Sequence, residues 1–107
     1  MSFRFMRMIL FFDLPTVTDA NKRTYRKFHN YLLSEGFIMM QYSVYMKLTL
    51  NATSYKQELN NLKKNKPPEG NIMVLSVTEK QFSDIEFILG EFETDVINTT
   101  DRIVVIE

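Results

Sequence analysis

The longest uninterrupted apolar run of the chain lies near its start and stops at an acidic residue. Residues 8–12 are all apolar, and Asp13, Leu14 and Pro15 follow them directly. A short, continuous apolar run of this kind is typical of a strand that is covered on both faces. We therefore predict a central first strand over residues 4–13, with Asp13 at its end.

A helical pattern follows this strand. Thr18 has the side chain of an N-cap residue, and the apolar residues Tyr25, Phe28 and Leu32 recur at the spacing of one helix face. Gly36 predicts where this helix ends. The basic residues of the same helix point roughly away from its apolar face, and they are Lys22, Arg23, Arg26 and Lys27.

Residues 37–50 are rich in aromatic and β-branched side chains, which predicts one long second strand. Its alternation places Ile38, Met40, Tyr42, Val44 and Met46 on one face and Met39, Gln41, Ser43, Tyr45 and Lys47 on the other. A second helix is predicted from about residue 52 to 64, and the prolines after it end that helix.

The second half of the chain predicts short elements. Residues 72–77 read as an apolar strand, Thr78 and Gln81 have capping-box spacing for a short helical turn, and residues 85–89 and 102–106 read as strands. Two orders remain open. One is β-α-β-α-β-β with a trailing strand. The other, with the long second strand split and the turn over 79–84 counted as a helix, is the ferredoxin-like βαββαβ pattern of an α+β fold.

Length and composition bound the class of protein. A chain of 107 residues is one domain that leaves much apolar surface to cover, so we expect a dimer. The chain has no cysteine, which excludes disulfides, thiolate metal sites and a cysteine nucleophile. No run approaches the roughly 18 apolar residues of a membrane span, so we expect a cytoplasmic protein without membrane contact. His29 is the single histidine and is expected to have an ordinary role, either facing solvent or partly buried.

The zero net charge hides an uneven distribution. Residues 1–47 carry seven Lys or Arg against three Asp or Glu, whereas residues 48–107 carry six against ten. Such a split favours one surface for an anionic partner and another for a basic partner, although it also arises by chance. The basic helix likewise has two interpretations, as a nucleic-acid surface or as an ordinary solvated face.

Asp13 is the first candidate for chemistry. An Asp before a Leu-Pro turn is commonplace as a structural residue. A carboxylate that holds a divalent cation near Arg and Lys side chains is also how proteins handle phosphodiesters. One carboxylate per protomer is a thin site, since Mg²⁺ prefers six oxygens and usually takes one or two carboxylates with waters and phosphates. Two Asp13 side chains across a dimer axis would just suffice.

Several of these segments together resemble a known family. The residues are Phe12-Asp13-Leu14-Pro15, the basic helix through Arg26, Gly36-Phe37 and Gln41-Tyr42-Ser43-Val44-Tyr45. They resemble the second CRISPR-associated protein, the small spacer-adaptation subunit, in the version that accompanies type II systems. The similarity covers nearly the whole chain.

The resemblance implies a ferredoxin-like protomer in a symmetric homodimer. Residues 1–90 would form the domain, and residues 91–107 an acidic connection with a C-terminal strand exchanged onto the partner. Asp13 would be the catalytic and metal-binding residue, with Mg²⁺ or Mn²⁺, and Phe37, Ser43 and Tyr45 are supporting candidates. Nucleic acid would bind Lys22, Arg23, Arg26 and Lys27.

Three functions follow as expectations. By resemblance, the homodimer bridges dimers of the CRISPR-associated integrase and binds duplex prespacer DNA during spacer acquisition, with metal-dependent endonuclease activity as an additional property. The alternative is a stand-alone, toxin-like endoribonuclease that cuts RNA. The third, from another class, is a small-molecule-binding regulatory module on the same scaffold, since a fold does not fix a function.

Overall fold

The computed structural model describes residues 5–91 and shows a four-stranded antiparallel sheet with two long helices packed on one face. In chain order the elements are β1 (Met6–Asp13), α1 (Asp19–Ser34), β2 (Ile38–Gln41), β3 (Val44–Thr49), α2 (Ala52–Asn65), β4 (Asn71–Thr78) and α3 (Glu79–Ser83). The strand order across the sheet is β2-β3-β1-β4. This arrangement is a ferredoxin-like α+β fold, which confirms the second of the two predicted orders.

Strand β1 is central, as its apolar run predicts. It pairs antiparallel with β3 through Ile9 and Met46, and with β4 through Ile9 and Leu75. Residues 7–10 are all buried. The predicted acidic connection and C-terminal strand, from residue 92 onward, lie outside the described residues.

The main core fills the space between the sheet and the two long helices. Its buried members are Met8, Leu10, Phe12, Leu14, Phe28, Leu32, Phe37, Tyr45 and Leu62. The predicted apolar face of α1 is confirmed, since Phe28 and Leu32 are buried in this core and Tyr25 packs against it. Phe12 packs edge-on against Phe28, with 5.3 Å between ring centroids. The end of β1 is therefore fixed to α1.

The other face of the sheet is only partly covered. Ile9 and Met46 pack there against Phe82 of α3. Arg7 lies on the same face, 4% exposed, where its guanidinium donates to Glu79 at 2.7 and 3.1 Å and sits 4.3 Å from the Phe82 ring. Since Met73 and Leu75 remain 65% and 53% exposed, α3 leaves much of this apolar face open to solvent.

The prediction of one long second strand over residues 37–50 was wrong. Strands β2 and β3 form a hairpin joined at Tyr42 and Ser43, and Ser43 adopts a positive φ of 65°. A register shift between Met39 and Gln41 adjoins the turn. Aromatic and β-branched residues concealed the turn because Ser is an unusual choice for a left-handed position.

The alternation predicted for this segment is nevertheless largely confirmed. Ile38, Met40, Val44 and Met46 share the α3 face, and Met39 and Tyr45 face the main core. Tyr42 departs from it, because its ring stacks on Tyr25 of α1 rather than lying on the α3 face. Gln41, which follows the register shift, also departs from it, since it lines a groove on the α3 face together with Ile9 and Phe11.

The predicted strand over residues 85–89 was also wrong. Residues 85–87 have no regular secondary structure and the chain bends at Ile88 and Leu89, which are 92% and 93% exposed. The helical turn before it is confirmed, with Thr78 and Gln81 forming the capping box. Neither long helix of the described residues, nor α3, is long and apolar enough to cross a membrane.

A buried carboxylate joins α2 to the sheet. Glu58 is 3% exposed, and its Oε1 accepts a hydrogen bond from Lys47 Nζ at 2.5 Å. Its Oε2 has no hydrogen-bond partner among the described residues. Burial raises the pKa of Glu58, Lys47 opposes this increase, and the negative charge of Glu35 adds to it. The ionised form is therefore less favourable in the folded protein than in the unfolded chain.

We predict that Glu58→Gln becomes relatively more stable as pH rises. A carboxyl whose pKa is raised by folding contributes stability that is full below its unfolded pKa, about 4.3, and is lost as pH rises through the folded value. The free energy of unfolding of the wild type, minus that of Glu58→Gln, should fall as the pH rises above about 4, the unfolded value. Urea denaturation at several pH values measures this difference. The exposed Glu69→Gln is the control, and a difference for Glu58→Gln that stays constant or grows with pH would contradict the prediction.

Candidate nucleic-acid interface

Asp13 is exposed at the last position of β1, paired in the sheet with Asn71. Within residues 5–91 its carboxylate forms no hydrogen bond or ion pair. Successive side chains of a strand point to opposite faces, so Asp13 shares the face of Ile9 and Phe11, which is the open α3 face. An unpaired carboxylate therefore stands at the edge of an exposed apolar surface.

The backbone beside Asp13 is held by two neighbours. Leu14 is buried in the main core, which anchors the turn that follows β1. Gly70, with φ of +109°, lies so close that a Cβ there would be 2.8 Å from the Asp13 carbonyl oxygen and 2.5 Å from Leu14 Cδ2. Gly70 therefore fixes the backbone beside Asp13, and the sequence alone does not show this because the sheet pairing that brings Gly70 to Asp13 is not visible along the chain.

The four predicted cations are exposed along one stretch of α1. Lys22, Arg23, Arg26 and Lys27 form no ion pair with any residue from 5 to 91. Thr18 caps this helix as predicted, accepting from the Asn21 amide at 3.0 Å. The cations therefore remain available to an anionic partner.

The structure brings these cations and Asp13 to the same end of the sheet but to different faces. Tyr25 stands between Arg23 and Arg26 in the sequence and packs against Phe12, with 5.3 Å between ring centroids. This part of α1 therefore lies at the end of β1. However, α1 covers the main-core face, whereas Asp13 belongs to the open face. A ligand that contacts both must pass around the end of β1.

An aromatic cluster links α1 to the β2–β3 turn. Tyr25 shares a hydrogen bond with Ser43 at 3.2 Å and stacks on Tyr42, while His29 Nδ1 and the Tyr45 hydroxyl lie 2.5 Å apart. His29 is partly buried, as expected.

Burial raises the pKa of Tyr25 to about 12, with a smaller increase from Tyr42 and an opposing effect of the Ser43 hydrogen bond. Burial also raises the pKa of Tyr45 to about 12, and the charges of Tyr25 and Tyr42 add to it. These phenols stay protonated at neutral pH and do not act as bases.

The three supporting candidates occupy different positions. Phe37 is a core residue, 2% exposed, with Lys47 Nζ 5.9 Å from its ring centre. Ser43 and Tyr45 contact α1 through Tyr25 and His29. Ser43 is the nearest of them to Asp13 along the sheet, since its carbonyl accepts from the Phe12 amide at 3.1 Å.

The carboxylate that the end of β1 offers to a metal ion is that of Asp13. Among residues 5–91 there is no group of three or more His, Cys, Asp or Glu side chains that could hold a metal ion. Mg²⁺ commonly takes one or two carboxylates and completes its six oxygens with waters and phosphates. The exposed Asp13 fits as one such ligand, and within residues 5–91 no cluster of further carboxylates or imidazoles joins it.

Comparison with known proteins gives consistent matches. The family model described as CRISPR associated protein Cas2 matches residues 6–85. A protein of Treponema denticola named CRISPR-associated endoribonuclease Cas2 is 50% identical over 101 residues, covering 94% of this chain and all of that protein. Proteins of the same name are 50% identical over 99 residues in Streptococcus mutans, covering 92% and 91% of the two chains, and 41% identical over 100 residues in Campylobacter jejuni, covering 92% and 70%.

We predict that Gly70→Ala is much more disruptive than Gly90→Ala. Both glycines have positive φ, for which an L side chain costs roughly 1–2 kcal/mol. Only Gly70 adds a clash with backbone, and overpacking typically costs a further ~1–3 kcal/mol, whereas a Cβ at Gly90 meets nothing within 4 Å. Urea denaturation and the amide chemical shift of Asp13 measure the two effects. Equal stability loss in both variants, with the Asp13 amide unmoved by Gly70→Ala, would show that Gly70 does not position Asp13.

Proposed function

The chain belongs to the Cas2 family of CRISPR-associated proteins, and from this premise we propose that it is an adaptation subunit whose homodimer binds duplex prespacer DNA and bridges dimers of the CRISPR-associated integrase. The observation that carries the proposal is the set of four exposed α1 cations without ion pairs among the described residues, at the end of a strand that presents Asp13. Such a surface binds phosphates through charge, with little reading of base sequence.

The homodimer is supported by the open face of the sheet. An apolar groove of about 310 Å³ runs across it between the strands and the chain after α3, and is lined in part by Ile9, Phe11, Val44 and Leu75. Contiguous exposed apolar surface of this kind marks an interaction site. A second copy packed there by a twofold axis would bring two Asp13 carboxylates toward each other, since Asp13 lies on the same face.

A second activity is favoured by Asp13 itself and by the relatives' name. The relatives are called endoribonucleases, and an exposed carboxylate without a partner in the described structure is the group that a phosphodiester-cleaving site would need. In this proposal two Asp13 side chains would hold Mg²⁺ or Mn²⁺, which when bound would supply an activated water and offset negative charge. The protein's own contribution is to fix the carboxylate through the β1 pairing and Gly70.

The other two expected functions, a stand-alone endoribonuclease and a small-molecule regulatory module, differ in their support. A stand-alone, toxin-like endoribonuclease would use the same Asp13 and differs only in needing no integrase. A small-molecule regulatory role has no supporting observation in residues 5–91, where the open groove is almost entirely apolar.

A reconstituted integration reaction with the partner integrase, together with an RNA-cleavage assay, distinguishes the scaffold role from the nuclease activity. We expect Asp13→Asn to leave DNA binding and integration within about twofold of wild type and to abolish any metal-dependent RNA cleavage. Replacing Lys22, Arg23, Arg26 and Lys27 together by Gln should abolish integration and flatten the salt dependence of binding. Eight cations per dimer set an upper bound near −7 on that slope, at about −0.9 for each neutralised phosphate.

The matched control removes the same charge from α2 and its C-cap, by replacing Lys56, Lys63, Lys64 and Lys66 with Gln. The α2 variant should keep most of the wild-type affinity if binding is local to α1. If the α1 and α2 variants lose affinity equally, the effect is one of net charge and the proposed surface is wrong. If cleavage survives in Asp13→Asn, the nuclease site lies elsewhere.

A further inference from the structure

We propose that Tyr42 is a stacking platform for an unpaired nucleobase belonging to the nucleic acid whose phosphates the α1 cations hold. This inference rests on the proposed function and adds a contact with a base to a surface otherwise described by charge. It assigns a binding role to a turn residue that the sequence pattern places on the opposite face of the sheet.

Tyr42 presents one face of its ring to solvent and has the other covered. Its side chain belongs to the β2–β3 turn and is 70% exposed. The ring is stacked on Tyr25, with 5.5 Å between centroids and 18° between planes. An aromatic side chain held flat in this way has already lost the rotational freedom that stacking on a ligand would otherwise cost.

The support beneath Tyr42 is itself fixed. Tyr25 packs edge-on against Phe12, with 5.3 Å between centroids and 67° between planes, and its hydroxyl hydrogen-bonds Ser43 at 3.2 Å. Phe12 is buried in the main core. Tyr42 therefore sits on a column of rings that leads directly into the core.

The backbone of the turn is held in an uncommon conformation. Ser43 has a positive φ of 65°, which costs a non-glycine residue free energy. The turn is tied to β1 by the hydrogen bond from the Phe12 amide to the Ser43 carbonyl, at 3.1 Å. A strained turn with fixed anchors keeps Tyr42 in one place on the α1 side of the sheet.

The surroundings favour a nucleobase over other ligands. Lys22 lies about one helical turn before Tyr25, and Arg26 follows Tyr25 directly, and both are exposed. Cations that track a phosphate backbone beside an aromatic ring on which a base stacks are the recurring features of single-stranded nucleic-acid sites. Bases inside a duplex are already stacked, so the base that meets Tyr42 is unpaired, at a duplex end or in a single strand.

The chain provides a direct optical test, because it has no tryptophan. Tyr42→Trp introduces the sole tryptophan, and its fluorescence is titrated with a duplex bearing short single-stranded ends, with the same duplex carrying abasic ends, and with a blunt duplex. We expect strong quenching by unpaired bases and little by the abasic or blunt forms. Leu50→Trp, 59% exposed just after β3 at the opposite end of that strand from Tyr42, is the matched control and should show no such difference.

Affinity provides the second readout. Tyr42→Ala should weaken binding of the duplex with single-stranded ends roughly 5- to 150-fold, the range for loss of one base–aromatic stack, and should change binding of the abasic form less than about twofold. Tyr42→Phe should bind like wild type, because stacking needs the ring and not the hydroxyl.

The outcomes distinguish this inference from the function on which it rests. If Tyr42→Ala binds every duplex like wild type while the α1 charge variant does not, the platform is refuted and the proposed function stands. If the α1 charge variant also binds normally, the proposed function itself fails. Equal quenching of Tyr42→Trp by abasic and intact ends, or quenching by the integrase without nucleic acid, would overturn the assignment of a base to this ring.

Discussion

The covering of β1 is the constraint on which the rest of this structure depends. The strand is apolar on both faces, but α1 and α2 cover only one of them. On the other face, α3 covers Ile9 and Met46 through Phe82 and leaves neighbouring apolar side chains exposed. Because side chains alternate along a strand, Asp13 belongs to the uncovered face, so whatever covers this face also sets the surroundings of the carboxylate.

This constraint gives the end of the sheet two distinct surfaces. The helix face carries the cations of α1 and the stacked rings of Tyr25 and Tyr42, and the open face carries Asp13. In the proposed function, binding of nucleic acid and chemistry at Asp13 would therefore be separable, because they would use different faces of one strand end. A scaffold for integration needs the first surface, and a nuclease also needs the second.

Features that depend on neighbours in sequence were predictable, and those that depend on pairing were not. The apolar run of β1, the amphipathic pattern of α1 and the Thr78–Gln81 capping box all follow from local physics and are confirmed. One of the two predicted orders split the second strand, but the position of the β2–β3 turn was missed because Ser43 takes a left-handed conformation that is unusual for Ser. The positions of Gly70 beside Asp13 and of Tyr42 on Tyr25 arise from sheet pairing and helix packing, which no spacing along the chain reveals.

In the proposed homodimer a second copy covers the open face and places the two Asp13 positions together. Because the chain has no cysteine, Asp13→Cys introduces a single thiol, and treatment with a short bismaleimide measures its proximity to the same position in another copy. Val17→Cys, at a position that is 85% exposed in the loop before α1, is the control. We expect the Asp13→Cys variant to give a covalent dimer in high yield at dilute protein concentration and the Val17→Cys variant to remain largely monomeric. Cross-linking of Asp13→Cys no greater than that of Val17→Cys would contradict this arrangement.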